Sequence, residues 1–82
     1  MPRYYLHVRN GDDLAPDLEG QDFEDLVAAR HEALISAQEL WRTLEPNIAR
    51  DRVSIKITDD AGGLLATVAL SDVGRKLAQG FQ

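Results

Sequence analysis

The chain has 82 residues, no cysteine and a formal net charge of −5, with 44% hydrophobic and 28% charged residues. Such a composition specifies one small globular domain over residues 1–82 and argues against disorder, disulfides, thiolate metal sites and thiol catalysis. No apolar run approaches the roughly 18 residues of a membrane span, and the opening lacks a signal peptide's apolar stretch, so a cytoplasmic protein is expected.

Arg3 to Arg9, RYYLHVR, alternates with Tyr4, Leu6 and Val8 on one face and Tyr5, His7 and Arg9 on the other, the pattern of a half-buried strand. Asn10-Gly11 is a hairpin signal, and Asp12 to Ala15 can return as a short strand before Pro16 ends pairing. Seven of the fourteen acids lie between Asn10 and Asp25 with no base among them, so the acidity is local.

Asp22 to Leu44 reads as one amphipathic helix of about six turns, with Asp22 as N-cap and Asp25 three residues on. Phe23, Leu26, Val27, Ala33, Leu34, Ala37, Leu40, Trp41 and Leu44 share one arc, which predicts a core-facing helix with Trp41 largely buried. Arg30 falls inside that arc. A guanidinium there needs a partner or a route to solvent, and the acidic loop offers Asp17 and Glu19 as candidate ion-pair partners. Ile35 lies on the polar side with Glu32, Glu39 and Arg42.

The residue before Pro46 is pushed out of helical geometry, so the helix ends there and Asn47 to Arg52 connects onward. Val53 to Thr58 alternates with Val53, Ile55 and Ile57 on one face, and Asp59 to Gly63 is a turn. Leu64 to Leu70 should then return antiparallel with Leu64, Ala66, Val68 and Leu70 inward. Ser71 can cap a final short helix over Asp72 to Ala78, with Val73 and Leu77 closing the core. The expected fold is α+β, a two-layer sandwich of a three- or four-stranded, mostly antiparallel sheet with one long helix on one face.

Chemistry-bearing motifs are sparse. The acidic loop lacks calcium-loop spacing, so no metal is expected, and nothing in the sequence brings His7 and His31 together as ligands or as an acid/base pair; both are read as exposed side chains. No serine sits in a nucleophile elbow, and Gly62-Gly63 joins two strands rather than opening a phosphate-binding helix. An enzyme is therefore not expected, nor a cofactor. The sheet face left uncovered by the helix should carry Tyr5, His7, Arg9, Ser54, Lys56, Thr58, Leu65, Thr67 and Ala69. Tyr5, His7, Arg9, Lys56, Leu65 and Thr67 form the candidate interaction face, for a protein partner or a second copy as a homodimer. Arg9, Lys56 and His7 supply too few charges for strong nucleic-acid binding.

The opening MPRYYLHVRNGDDLAPDLEG, the helix segment AARHEAL and the hairpin ITDDAGGLLATVAL resemble a family of small uncharacterised bacterial proteins, a domain of unknown function of about this length. Leu6 and Leu70 stand where phenylalanine is expected from that family, and Ala69 where proline is frequent. The resemblance implies a bacterial cytoplasmic domain and no particular activity. A fainter similarity over residues 4–41, strand, turn, PDLEG and helix start, is to the partial domain of HicB-type antitoxins, which implies a regulator that binds a toxin or nucleic acid. No DNA-binding extension follows in this sequence, so operator binding is not implied.

Overall fold

The computed structural model describes residues 2–44, 50–71 and 73. Its elements are β1 (Arg3–Asn10), β2 (Asp13–Ala15), β3 (Gln21–Asp22), α1 (Leu26–Thr43), a 3-10 turn at Arg50–Arg52, β4 (Val53–Thr58) and β5 (Leu64–Ala69). The sheet is antiparallel throughout, in the order β2-β1-β4-β5, with β3 pairing the other end of β1 on the same edge as β2. One helix packs on one face, across β4 and β5. This is the expected α+β architecture, with β3 as an additional short strand.

The core follows from the strand alternation. Tyr4, Val53, Ile55, Ile57 and Val68 are buried, with Leu6, Val8 and Ala66 partly buried beside them. Against these the helix presents Ala29, Ala33 and Ala37, each fully buried. Residues four apart line one stripe of a helix, and three methyl side chains in that stripe let the helix lie close to the sheet. Leu26, Leu34, Leu40, Trp41 and Leu44 flank the stripe and are half-buried against the core. The buried stripe is thus rotated from the expected arc toward Ala29. Val27, expected inside, is 75% exposed, and Trp41 is only half-buried.

The helix also starts later than Asp22. Asp25 is its N-cap, with extended backbone, and its side chain accepts a hydrogen bond from Ala28 N at 2.9 Å. Asp22 instead belongs to β3, opposite Arg3, and Arg3 Nε donates to its Oδ1 at 3.2 Å. Phe23 therefore lies before the helix, and its ring packs on Tyr4 with centroids 6.0 Å apart.

Turn chemistry sets the two hairpins. Asn10 pairs with Asp13, so the first loop is Gly11-Asp12 with Gly11 at φ 61°, and the return strand is Asp13–Ala15. In the second, Asp59 Oδ1 accepts from the N–H groups of Ala61 and Gly63, and Gly62 N donates to Asp59 O. One extra residue sits on β5 between the pairs Ile57↔Ala66 and Thr58↔Leu64. This bulge corrects the expected inward position of Leu64, because Leu64 and Leu65 both oppose outward-facing Thr58 and are 60% and 41% exposed. Leu70, Ser71 and Val73 are helical, with Leu70 and Val73 buried. The rest of the expected final helix, including Leu77, and the connector residues 45–49 lie outside the described residues.

Candidate functional site

The sheet face opposite α1 is a row of polar side chains held in place by one another. Strand register puts His7 beside Lys56 and Lys56 beside Thr67, Tyr5 beside Thr58, and Arg9 beside Ser54 and Ser54 beside Ala69. Tyr5 and His7 stack with rings 5° from parallel and centroids 6.3 Å apart. The Tyr5 hydroxyl donates to Asp60 Oδ1 at 3.0 Å, and this bond raises the Tyr5 pKa from its ordinary value. Lys56 Nζ reaches Thr67 Oγ1 at 3.4 Å, and Arg9 Nε donates to the carbonyl of Gly11.

His7 differs from the exposed side chain expected of it: it is half-buried, with both ring nitrogens engaged. The backbone N–H of Asp17 can only donate, so Nδ1 is an acceptor at 2.9 Å. The neutral ring then carries its hydrogen on Nε2, which donates to Thr58 Oγ1 at 3.0 Å.

Asp17 closes the edge of β1 where the strands leave a gap. β2 covers Val8 to Asn10 and β3 covers Arg3 and Tyr4, so the N–H of Leu6 between them needs another acceptor. Asp17 Oδ2 accepts it at 3.3 Å, while Oδ1 accepts from Glu19 N at 3.3 Å and Gly20 N at 3.1 Å. Burial alone would raise the Asp17 pKa, but the backbone donors Gly20, Leu6 and Glu19, with His7 nearby, outweigh it and hold the carboxyl below its ordinary value. Gly20 must be glycine here. Its φ is 71°, and a Cβ would stand 2.8 Å from Tyr5 Cε2 and 2.9 Å from Arg3 Cγ.

The expected ion pair of Arg30 with Asp17 or Glu19 does not form. The Asp17 carboxylate is taken up by backbone donors, Glu19 engages through its backbone N–H, to Asp17, and its carbonyl, which accepts from Arg3 Nη1, and Arg30 is exposed at the margin of the buried stripe. The ion pair present among the described residues is Arg3 with Asp22, which with the hydrogen bond between them raises the Arg3 pKa. The sequence reading also missed the Tyr5–Asp60 and His7–Thr58 bonds. The second is legible once the register is known, since Thr58 lies diagonal to His7 on the same face.

Among the described residues, two shallow hollows flank these elements. One, of about 350 Å³, is lined by Pro2, Arg3, Tyr4, Asp59, Asp60, Ala61 and Leu65; the other, of about 250 Å³, lies on the helix between Val27, Arg30, His31 and Leu34. Among the described residues no group of three or more His, Asp or Glu side chains could hold a metal ion, and no helix is long and apolar enough to cross a membrane.

Residues 3–71, the span of the whole sheet and helix, match the model of a family described as Domain of unknown function (DUF6894). The chain belongs to that family. No curated protein and no solved structure matches it. The matched span includes every side chain of the outer-face network, and it ends just after β5.

Proposed function

We propose that this DUF6894 domain is a non-enzymatic interaction module of a bacterial cytoplasmic protein. Its outer sheet face is the contact surface for a protein partner, with Tyr5 and Arg9 as anchors. The observation that carries this is the ordering of the face: Tyr5 is fixed by Asp60, by stacking on His7 and by close packing at Gly20. Side chains ordered in the free protein lose little further entropy on binding, and tyrosine and arginine dominate the energetics of many contact surfaces. Leu14 and Leu65, 53% and 41% exposed, add apolar area at two margins. The occupied nitrogens of His7 support a binding role over an acid/base one.

Charge argues for protein over nucleic acid. Arg3 is committed to Asp22, and the strands place two cations, Arg9 and Lys56, on a face that also carries Asp60. The test is affinity capture by the parent and by a Tyr5→Ala, Arg9→Glu double variant that keeps the parent's circular dichroism. Loss of a protein partner in the double variant supports the outer face, and retention of every partner removes it. An antitoxin-like regulator is the alternative implied by the HicB-type resemblance, and capture of a small basic ribonuclease by the parent would favour it.

A further inference from the structure

Bond direction along the sheet identifies which backbone groups no described strand takes up. Leu6 N points away from β4, to Asp17, so in an antiparallel ladder the β1 residues facing β4 are Tyr5, His7 and Arg9. Their partners Thr58, Lys56 and Ser54 face β1, which turns Ile55 and Ile57 toward β5. The bond from Asp59 N to Gly63 O continues the same alternation. Val68 and Ala66 therefore exchange bonds with β4, and Thr67 and Ala69 direct N–H and C=O outward.

The two edges of the sheet are treated differently. The β1 edge is sealed by β2, Asp17 and β3, and β2 itself is three residues long, carries Asp13 and runs into Pro16. Shortness, charge and proline are the usual protections of an edge. β5 has six residues, LLATVA, with no charge and no proline, and no described residue pairs its outer side.

The geometry points to β5 as the site where a second copy of this chain adds antiparallel, about a two-fold axis through Thr67, to make one sheet continuous across two chains. The outward positions choose the occupant. In a two-fold pairing about Thr67, Thr67 meets the partner's Thr67 with each outward N–H facing the other's carbonyl, and Leu65 stands opposite the partner's Ala69. Thr–Thr is a favourable cross-strand pair. On the inner face the same register sets Ala66 beside the partner's Val68, extending the apolar surface under both helices. The nearest cation, Lys56, lies one strand in, so the two Lys56 side chains stand three strand spacings apart, about 14 Å, beyond the screening length of about 8 Å at physiological salt. Pairing at this edge goes beyond the outer-face proposal and is separable from it.

The test uses the full chain, which has no cysteine of its own. Hydrogen-bonded antiparallel partners have Cα atoms about 5.5 Å apart, within the disulfide range of about 4.4–6.8 Å. Thr67→Cys should therefore cross-link to a dimer on mild oxidation. Ser54→Cys, on the same face but one strand in, should not. Light scattering should give the parent twice the 9.1 kDa chain mass, and Thr67→Pro should bring it down to one. The Thr67 N–H points outward, so proline there spares the β4 ladder. A parent that stays a single chain at every concentration overturns the proposal, as does Thr67→Cys cross-linking no faster than Ser54→Cys. A dimer that survives Thr67→Pro and is lost in the Tyr5→Ala, Arg9→Glu variant also overturns it while leaving the outer face intact as a contact surface. A dimer lost in Thr67→Pro and kept in that double variant supports it.

Discussion

Asp17 shows how one side chain can stand in for a strand. Its carboxylate answers three backbone donors that no neighbouring carbonyl reaches, so Asp17→Ala should cost about 1–3 kcal/mol in urea unfolding, the usual penalty for stranding such donors. Glu19→Ala, which leaves the carbonyl used by Arg3 in place, should cost far less. The folded pKa of Asp17 is depressed, so its ionic contribution is complete above the unfolded value of about 3.9 and is lost as pH falls through the lower folded value. Asp17→Asn should remove that acid dependence, and the stability difference between parent and variant should shrink on acidification. Tyr5 has the opposite sign. Its raised pKa means the bond to Asp60 stabilises below the unfolded tyrosine value and is lost as pH rises through the folded one, so Asp60→Asn should bring Tyr5 ionisation down toward its ordinary range in an absorbance titration. The role of Asp17 was not legible in the sequence. An aspartate three residues before a glycine and five before another aspartate supports capping, loop or ion-pair assignments equally well, and only the gap between β2 and β3 selects among them.

At the scale of elements, most of the architecture was legible, because alternation in RYYLHVR and VSIKIT and the apolar period of the helix are strong local signals. The failures have definite causes. Asp22 and Asp25 are three residues apart and either could cap, and the tie is broken by the distant Arg3, which draws Asp22 into β3. Asp25→Ala should therefore cost about 1 kcal/mol, and Asp22→Ala should leave helix content unchanged by circular dichroism. The helix phase was misplaced because Ala29 has a small hydrophobic signal and Val27 a large one, yet the tight helix-sheet approach favours the methyl. Ala33→Leu should accordingly destabilise by about 1–3 kcal/mol through overpacking. Trp41→Ala should fall at or below the low end of the roughly 3–5 kcal/mol typical of a fully buried aromatic. Leu64 was misassigned because a one-residue bulge inverts alternation without any glycine or proline at that position to announce it.

For the whole molecule, the helix covers β4 and β5 while β1 gains its protection from loop and edge pieces, so the two sides of the sheet are stabilised by different means. That division separates what the sequence could reveal from what it could not. The core side obeys periodicity, and the outer side is a network of single hydrogen bonds among Asp60, Tyr5, His7 and Thr58 that depends on strand order. Strand order carries a further consequence, for the timing of folding. β1 lies between β2 and β4, yet its pairing with β4 must wait for the helix and the connector to be made. During synthesis β1 can pair only with β2 and β3, the short pieces that follow it, while the β4–β5 hairpin forms locally once its turn has emerged. The joining of these two halves closes the long loop between β1 and β4, and loop closure of that kind slows folding. Weakening the β4–β5 turn with Gly62→Val should therefore slow refolding in stopped-flow measurements more than it speeds unfolding, because it delays the hairpin onto which β1 closes.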